Sequence, residues 1–417
     1  MTNELVNYLN TTMFVFFNVP IHYYKKERQF STNFVNALDF FLELASSVTH
    51  LTLCVPASSK GRGLVRVGMP LNVSILKLPY YSDPFELIKI IWRFIPQILR
   101  ISLSKTIRRS DIIGIVAPGT IFFFSFPLIH FIHKKPIFLF IRGNKKKTVQ
   151  YEYGRHPFKK MVATMAISIY DSLVKLALKR DKVIMFTIGF NKEMIEKYRN
   201  KNRIYSLTPM IPKCLIKKRK EIFRSSCKRI NILYLGRLSR EKGVCDLLLA
   251  FSQLIKEKEN EIVLHIVGSG PEESFLKEKV KQLNLKDRVI FHGFVPRSGK
   301  LWNIVDSSDI FVLPSYTEGL PRAVFEVMAR GVPVICTKVG GLPEIIRNGI
   351  NGLLIEPGDI ISLKNVMIKL IEDPHLRNQL VEEGYKTVER VTFEKQGKKM
   401  IEIIKWRLLG LGKAGLC

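Results

Sequence analysis

Two cations lie close together at the end of a predicted strand in the second half of the chain. The strand Asn231–Gly236 continues into Arg-Leu-Ser-Arg-Glu-Lys-Gly, which places Arg237 and Lys242 just ahead of an apolar helix. A guanidinium presents a planar fork of donors that suits phosphate oxygens, and an ammonium presents a compact charge. Together they could neutralise a diphosphate, but two solvated loop cations would give the same pattern in a chain this rich in Lys and Arg.

Two carboxylates occupy a later strand-to-helix segment, residues 314–331. A proline that suits the first helical position follows Gly319 and Leu320, so their amides and the positive end of the helix form an anion site. Glu318 precedes the helix and Glu326 lies inside it, so both could accept hydrogen bonds from hydroxyl groups of one ligand, such as a sugar and a ribose. Alternatively, Glu318 complements the helix dipole and Glu326 pairs with a nearby Lys or Arg.

Glycines mark further strand ends that could lie against a nucleotide. Gly236 closes the first of these strands, Gly268 begins Gly-Ser-Gly-Pro after another, and a His-Gly pair precedes Phe294 and Val295. A tight strand-to-helix turn needs glycine with or without a ligand, so these loops alone indicate little.

Alternating strands and helices predict the scaffold that positions these loops. In the second half the predicted strands are Asn231–Gly236, Glu261–Gly268, Arg288–Val295, Asp309–Pro314, Val332–Val339 and Gly352–Glu356. In the first half they are Met13–Phe17, Leu51–Pro56, Asp111–Ala117, Pro136–Ile141 and Lys182–Thr187. Both patterns predict a parallel sheet covered by helices, in which ligands bind beyond the carboxyl ends of the strands.

A chain of 417 residues has room for two such α/β domains. The pattern dissolves into a basic, proline-containing run after the first half, which indicates an interdomain connection. The predicted order is a Rossmann-like domain at 1–208, a linker at 209–228, a doubly wound domain at 229–394, and a helix within 395–417 that returns toward the first domain.

Positive charge is concentrated in the first half of the chain. Of the formal net charge of +30, about +24 falls before Lys228 and about +6 after it. Such a surface attracts polyanions, which include phospholipid headgroups, lipid-linked phosphates and nucleic acid. The alternative is a basic face that is merely solvated, and charge alone does not choose among these partners.

Two apolar segments of the first half raise the question of a membrane. Ile112–His133 carries no Asp, Glu, Lys or Arg over a length that could span a bilayer, but Pro118 and Gly119 divide it into a strand and a helix. A helix is also predicted over Pro84–Arg109, packed on the core or inserted into lipid. Its apolar stripe consists of Ile88, Ile91, Phe94, Ile95 and Ile98.

The cysteines and the start of the sequence both favour a cytoplasmic protein. The six cysteines show neither the close pairs of a zinc site nor a small disulfide framework. The early apolar stretch Met13–Val19 is too short for a secretory signal and lacks a basic region before it.

In their order and spacing, the motifs of the second half resemble glycosyltransferase family 4, whose retaining enzymes have the GT-B fold. The similarity runs from Asn231 to about Glu394. It comprises Gly-Arg-Leu with Glu-Lys-Gly, Val-Gly-Ser-Gly-Pro, Val-Ile-Phe-His-Gly-Phe-Val, Pro-Ser-Tyr-Thr-Glu-Gly-Leu-Pro, and Gly-Val-Pro-Val-Ile with Val-Gly-Gly-Leu-Pro-Glu. The resemblance implies two Rossmann-like doubly wound domains that face a central cleft, a nucleotide-diphosphate sugar as co-substrate, and neither a cofactor nor a metal.

The resemblance also implies roles for single residues. Arg237 and Lys242 would hold the donor diphosphate and stabilise the charge that grows on it as it departs. Glu318 would orient the sugar hydroxyls without attacking, and Glu326 would bind the ribose. The expected catalytic residues are Glu318, Arg237 and Lys242, and the expected donor-binding residues are Gly236, Arg237, Lys242, Gly268, Phe294, Val295, Glu318, Gly319, Leu320 and Glu326.

The first half departs from the family pattern. Asn18 stands in Phe-Asn-Val-Pro, where a Gly-Gly loop is usual after the first strand, and Arg142 follows the strand Pro136–Ile141 where many relatives place a His. Both are candidate acceptor-side residues, although Arg142 would equally suit a plain surface. Because this domain normally holds the acceptor, the sequence leaves the acceptor open.

These observations predict a retaining, metal-independent hexosyltransferase that moves a sugar from a nucleotide-diphosphate donor to a glycan or lipid-linked acceptor, in polysaccharide or lipopolysaccharide biosynthesis. Its expected location is the cytoplasm, peripheral at the inner face of the cell membrane, with an anionic membrane surface rather than nucleic acid as partner. One alternative is a nucleotide-sugar epimerase or hydrolase of the same fold, which needs no acceptor. The other is a non-enzymatic polyanion-binding protein.

Overall fold

The computed structural model describes residues 9–17, 21–24, 29–32, 35–58, 65–81, 84–117, 119–141, 157–188, 204–208, 210–217, 229–258 and 261–408. The chain divides into two compact units. Unit 1 consists of Met1–Pro209 together with Phe393–Cys417, and unit 2 consists of Met210–Thr392.

The described strands and helices alternate along most of the chain. The strands are β1 Leu9–Phe16, β2 Ile21–Tyr24, β3 Gln29–Thr32, β4 Val48–Ser58, β5 Val65–Gly68, β6 Val73–Leu78, β7 Ile112–Ala117, β8 Ile137–Ile141, β9 Val183–Ile188, β10 Ile204–Leu207, β11 Arg229–Leu235, β12 Glu261–Val267, β13 Val289–Gly293, β14 Ile310–Leu313, β15 Val334–Thr337 and β16 Leu353–Ile355. The helices are α1 Val35–Ala45, α2 Pro84–Ser102, α3 Lys105–Arg109, α4 Thr120–Ile132, α5 Pro157–Ala177, α6 Val244–Glu257, α7 Glu273–Gln282, α8 Gly299–Asp306, α9 Arg322–Ala329, α10 Leu342–Ile345, α11 Ile360–Glu372, α12 Pro374–Arg390 and α13 Phe393–Leu408.

The described strands of unit 1 form one sheet in the order β10-β9-β8-β7-β1-β4-β2-β3-β5, and β6 also pairs with β4. Pairing is antiparallel only at β2–β3 and β3–β5. The five strands predicted from the first half correspond to β1, β4, β7, β8 and β9. Strands β2, β3, β5, β6 and β10 were not predicted.

Both faces of the unit 1 sheet are covered. Successive side chains of a strand point to opposite faces of the sheet, and in this sheet the side chains on both faces are apolar. On β1, Met13 and Val15 join one buried cluster while Phe14 and Phe16 join the other. Helices α2 to α5 cover the second cluster, and α1 and α13 cover the first. The rings of Phe40 in α1 and Phe393 in α13 lie 6.2 Å apart, so the C-terminal helix is part of this core.

The predicted helix Pro84–Arg109 is wrong in extent, because the structure has two helices there. Helix α2 ends at Ser102, and Ser104 caps α3 by accepting a hydrogen bond from the Ile107 amide at 3.4 Å. The predicted apolar stripe is also only partly right. Phe94 and Ile98 are buried, Ile91 is half-buried, the side chain of Ile88 lies outside the described ones, and Ile95 faces outward.

The charge-free segment Ile112–His133 forms a buried strand, β7, and a helix, α4. The predicted division of this segment into a strand and a helix is therefore confirmed. Among the residues that the structure describes, no helix combines the length and the apolar character needed to cross a bilayer.

Unit 2 contains a parallel sheet in the order β13-β12-β11-β14-β15-β16. This is the strand order of dinucleotide-binding α/β domains, in which the chain starts in the middle of the sheet and reverses direction between its first and fourth strands. The reversal falls between β11 and β14, and sheets of this kind bind their ligands in the crevice at the carboxyl ends of the strands at such a point. Residues 210–217, which the sequence placed in the linker, pack on unit 2 through the buried side chains of Ile211 and Leu215.

Candidate functional site

The loops after β11 and β14 bring together the lysine and the first carboxylate predicted from the sequence. Lys242 Nζ donates to Glu318 Oε1 at 2.7 Å, and Ser315 Oγ donates to the same oxygen at 2.8 Å. The Glu318 side chain is 9% exposed and that of Lys242 22% exposed. An ion pair so shielded from water interacts more strongly than one on an open surface, so the crevice holds a fixed charge pair.

Two further hydrogen bonds tie the same loops together. The Tyr316 amide donates to the Glu241 carbonyl oxygen at 2.8 Å, and the Tyr316 hydroxyl donates to Asp246 Oδ2 at 2.6 Å. The hydrogen bond to Asp246 raises the pKa of Tyr316 to about 12, with burial adding to the effect. The hydroxyl therefore keeps its proton at neutral pH, and the loop geometry is held from both sides.

The loop after β15 closes on the backbone beside Glu318. Gly341 donates its amide hydrogen to the Gly319 carbonyl oxygen at 2.8 Å. Gly340 has φ +59°, and a Cβ at this position would collide with the Glu318 carbonyl oxygen. These two glycines of the Val-Gly-Gly-Leu-Pro-Glu motif therefore support the backbone at Glu318 and Gly319.

Gly236 and Gly268 lie against each other at the ends of β11 and β12. Gly268 has φ +141°, and a Cβ there would collide with the Gly236 carbonyl oxygen. Gly236 donates its amide hydrogen to Val267 at 3.0 Å, and Gly268 donates to Gly293 at 2.8 Å. The positive φ and the close backbone approach are thus a sufficient reason for glycine at position 268, whatever the site binds. At position 236 a Cβ would instead crowd the Tyr234 hydroxyl oxygen.

Arg237 follows Gly236 at the tip of β11, and its side chain is exposed. Its carbonyl oxygen accepts a hydrogen bond from the Tyr234 hydroxyl at 2.8 Å, which fixes the backbone and leaves the guanidinium at the surface. The two cations of the sequence motif therefore differ in the structure. Lys242 is paired with Glu318, and Arg237 points its charge outward.

Glu326 lies in α9 with a fully buried side chain. Its Oε1 accepts a hydrogen bond from Arg297 Nε at 2.6 Å and lies 2.8 Å from Arg322 Nε. A buried carboxylate requires such partners, because removal of a bare charge from water is costly. Its Oε2 is also buried and accepts no hydrogen bond from any residue that the structure describes. Glu326 is therefore paired with arginine through Oε1, while Oε2 is a hydrogen-bond acceptor without a partner among the described residues.

The sequence allowed a pairing of Glu326 with a nearby Lys or Arg, but neither arginine was identified as the partner. Arg322 precedes Glu326 by four residues, which is the spacing at which helical side chains meet, so this pair could have been predicted. Arg297 is 29 residues away in sequence, in the loop after β13, and no local pattern connects it to α9.

The remaining donor-side residues lie in the loops after β13 and β14. Phe294 is exposed and Val295 is buried in the loop after β13. Gly319 is exposed with open space beside it, and Leu320 is half-buried, one residue before the proline that caps α9. The two acceptor-side candidates, Asn18 and Arg142, lie outside the described residues.

The fold and the site define a two-unit α/β protein with a polar crevice at the reversal point of a Rossmann-like sheet. Residues 216–387 match the family described as "Glycosyl transferases group 1". The chain is 32% identical over 170 residues to N-acetyl-alpha-D-glucosaminyl L-malate synthase of Bacillus anthracis, covering 41% of this chain and 43% of that protein. It is 30% identical over 271 residues to an uncharacterized glycosyltransferase of Methanocaldococcus jannaschii, covering 61% of this chain and 65% of the other. The chain thus spans less than two thirds of these relatives.

Solved structures resemble the chain over nearly its whole length. Sucrose-phosphate synthase from Thermosynechococcus elongatus superimposes with a TM-score of 0.69 at 17% identity, covering 96% of this chain and all of the other. WaaG, a glycosyltransferase involved in lipopolysaccharide biosynthesis, superimposes with a TM-score of 0.62 at 16% identity, covering 94% and 99%. These likenesses confirm the predicted GT-B fold with two Rossmann-like domains, and the names of the sequence relatives support the prediction of an enzyme that transfers glycosyl groups.

Proposed function

We propose that the protein is a retaining, metal-independent glycosyltransferase of the family 4 type, which moves a sugar from a nucleotide-diphosphate donor to a glycan or lipid-linked acceptor. The observation that carries the proposal is the shielded contact between Lys242 and Glu318 at the reversal point of the unit 2 sheet. The contact supports the proposal because an ammonium suited to phosphate oxygens and a carboxylate suited to hydroxyl groups lie together at the carboxyl ends of the strands, where such sheets bind ligands.

Lys242 and Arg237 are proposed to take the place of a metal. An ammonium has three N–H donors, and the hydrogen bond to Glu318 uses one of them. The others, together with the exposed guanidinium of Arg237, are proposed to neutralise the diphosphate as the bond from the anomeric carbon to the phosphate oxygen breaks. Charge stabilisation of this kind is usually the largest contribution to an enzymatic rate.

Glu318 is proposed to orient the sugar rather than to attack it. Ser315 and Lys242 both donate to its Oε1, which leaves Oε2 as the oxygen that receives sugar hydroxyl groups. The new bond would form between the anomeric carbon and the acceptor oxygen on the face that the diphosphate leaves. The acceptor proton would pass to an oxygen of the departing phosphate, so that no protein base is required.

Glu326 is proposed to bind the donor ribose. Its Oε2 is a buried acceptor without a hydrogen bond from the described residues, and a ribose hydroxyl is a donor of the matching kind. The amides of Gly319 and Leu320 would meet the sugar or the diphosphate, and the backbone at Phe294 and Val295 would lie at the edge of the base.

The acceptor side is proposed from the charge of unit 1 and from the relatives. The curated relatives include an amylovoran biosynthesis glycosyltransferase of Erwinia amylovora and an Escherichia coli galactosyltransferase named for a diphosphoundecaprenol substrate. We therefore propose a role in cell-surface polysaccharide or lipopolysaccharide assembly, with the protein attached peripherally at the cytoplasmic face of the membrane. The basic first half of the chain fits a phosphorylated lipid acceptor.

The donor is tested by heating the purified protein with individual nucleotide-diphosphate sugars. A ligand that binds the folded state raises its melting temperature as the ligand concentration passes the dissociation constant. We expect one or a few sugars to stabilise the wild-type protein and to lose this effect in Lys242→Ala, while the surface control Lys277→Ala retains it. Stabilisation by none of them would overturn the donor site.

Transfer is tested with the donor so identified and extracted lipid-linked acceptors. We expect release of nucleotide diphosphate to require the acceptor, to persist in excess EDTA, and to give a product of unchanged anomeric configuration. Release without any acceptor would favour the hydrolase or epimerase. Loss of activity in EDTA would remove the metal-independent mechanism while leaving the transferase standing.

A further inference from the structure

Helix α2 of unit 1 exposes large apolar side chains on its outer side. Trp92 is 65% exposed, and Ile95, Leu99 and Leu103 are each about 40% exposed. Their spacing of three, four and four residues aligns them along one side of the helix and the residue that follows it. We call these four residues the α2 stripe.

The α2 stripe is distinct from the side of the helix that packs on the sheet. Phe94, Ile98 and Ile101 are buried in the core of unit 1, and the ring of Phe94 lies 5.7 Å from that of Phe124 in α4. These three residues, and not the α2 stripe, therefore pack α2 against the core. Apolar side chains on the opposite side contribute nothing to that core, and exposed apolar patches of this kind mark interaction surfaces.

A row of cations runs beside the α2 stripe. Lys89, Arg93 and Arg100 are exposed and follow the helical repeat next to it, and the guanidinium of Arg93 lies 4.5 Å from the centre of the Trp92 ring. From Lys89 to Lys135 the chain carries eight basic residues and one acidic residue, Asp111. The Asp111 carboxylate accepts hydrogen bonds from Thr12 of β1, so its charge is engaged there.

The end of α4 extends the apolar surface. Phe131 is 76% exposed and Ile132 is 43% exposed. His133, the next residue, donates from Nε2 to the Ser102 carbonyl oxygen at 2.7 Å in a buried hydrogen bond. This bond places the end of α4 beside the end of α2, where Leu103 completes the stripe.

We propose that the α2 stripe, the adjacent cations and the end of α4 form a surface that docks on an anionic lipid bilayer, with α2 lying in the plane of the interface. An amphipathic helix with aromatic and aliphatic residues on one side and Lys or Arg beside them is the form that interfacial helices take. Arg and Lys reach phosphate groups while their stems cover apolar surface. This surface deepens the membrane part of the proposed function and does not depend on sugar transfer.

Charge favours a bilayer over a second copy of the chain as the occupant. A symmetric dimer through this surface would bring two rows of Lys89, Arg93 and Arg100 together, and like charges at close range repel. An anionic headgroup layer neutralises the same row.

The test uses vesicles of phosphatidylcholine with or without phosphatidylglycerol, in the absence of any sugar donor or acceptor. We expect the full chain to sediment with the anionic vesicles at least about tenfold more strongly than with the neutral ones, and less strongly at high salt. Trp92→Ser/Leu99→Ser should weaken binding at least about tenfold at every salt concentration. Arg93→Gln/Arg100→Gln should weaken it at low salt and reduce its salt dependence.

The matched control is Leu71→Ser, which removes an apolar side chain that is 88% exposed in a turn of unit 1. It should bind vesicles as the wild type does. All these positions are exposed, so the variants should keep their melting temperature and their stabilisation by the nucleotide sugar. Loss of vesicle binding with donor binding retained therefore separates this proposal from the proposed function.

A second readout follows the position of Trp92 itself. In a Trp302→Phe/Trp406→Phe background it is the only tryptophan, and its fluorescence should shift to shorter wavelength on anionic vesicles. An unchanged spectrum, or equal binding by Trp92→Ser/Leu99→Ser and Leu71→Ser, would overturn the proposal. So would a concentration-dependent dimer that Trp92→Ser/Leu99→Ser abolishes, which would assign the surface to a second copy.

Discussion

The two units use the residues that they expose in opposite ways. In unit 2 the carboxyl ends of the strands carry charged side chains that other loops hold in place, as Lys242 and Ser315 hold Glu318. In unit 1 the outer helices carry apolar and basic side chains on an open surface, with Trp92 and Phe131 largely exposed. Preorganised contacts of the first kind favour a site for a small ligand, whereas an exposed amphipathic face of the second kind favours an extended partner.

The largest effect is expected from the charge pair of unit 2. Glu318→Gln keeps the size of the side chain and removes its charge, so the turnover number should fall by about a hundredfold to a thousandfold, as it does on loss of one preorganised electrostatic contact. Steady-state kinetics with the identified donor measures this. Glu273→Gln, which removes a surface partner of Lys277, should retain full activity; equal losses in the two variants would contradict a special role for Glu318.

The close approach of the Gly340 backbone to Glu318 is tested by Gly340→Ala. The new Cβ would collide with the Glu318 carbonyl oxygen, so the loop must shift and donor affinity should fall by about tenfold to a hundredfold. Isothermal titration calorimetry with the donor measures the change. Gly349→Ala is the matched control, since Gly349 has φ +78° but open space around it; it should lose stability through backbone strain without the loss of affinity.

Glu326 Oε2 accepts no hydrogen bond from the described residues. If it binds the donor ribose, the protein should select donors by a ribose hydroxyl group. Glu326→Gln should raise the Michaelis constant for the donor by about tenfold, equivalent to about 1.4 kcal/mol, and should do so less for a donor whose ribose lacks the bound hydroxyl. Comparison of the wild type and the variant with both donors isolates the coupling. Purely additive effects would leave Glu326 as a structural partner of Arg297 and Arg322.

The smallest effect concerns a histidine pair in the unit 2 sheet. His265 Nδ1 lies 2.9 Å from His292 Nε2, and burial, followed by the charges of His292 and Arg229, lowers the pKa of His265 to about 4. The unfolded chain, with a His pKa of about 6.5, then binds the proton more readily than the folded one. Unfolding free energy should therefore decline as pH falls from about 6.5 to about 4, by about 1 kcal/mol once solvent screening is allowed for.

Chemical denaturation at several pH values checks this prediction. The difference between the wild type and His265→Asn should vary over that pH range and stay constant above it, because other titrating groups act in both proteins. A constant difference throughout would show that His265 is not the group responsible.

Most of unit 2 could be predicted from the sequence, because each strand and the loop that follows it can be recognised within a short stretch of residues. Each apolar strand ends in a glycine or a polar loop, so β11, β12 and β14 could be located along with the residues that follow them. The contact between Lys242 and Glu318 joins residues 76 positions apart. It could nevertheless be expected, because the strand order of such a domain places both loops at one crevice.

What the sequence did not show depends on tertiary context. Strands β3 and β5 have four residues each and pair antiparallel at an edge, and such short runs carry little signal. The break between α2 and α3 follows from the local cap at Ser104, which competes with a continuous apolar repeat. Whether Ile95 faced the core or the outside depended on where the neighbouring helix α4 packs, and no periodicity decides that.

Helix α13 makes completion of the unit 1 core depend on the order in which the chain is synthesised. It is translated after all of unit 2, yet Phe393, Met400 and Ile404 fill the core beside α1. While the ribosome synthesises unit 2, the nascent unit 1 has an uncovered apolar face, which favours chaperone binding or aggregation. An expression fragment that stops before Phe393 would retain that liability permanently, so simple truncation of the chain before this helix should yield insoluble material.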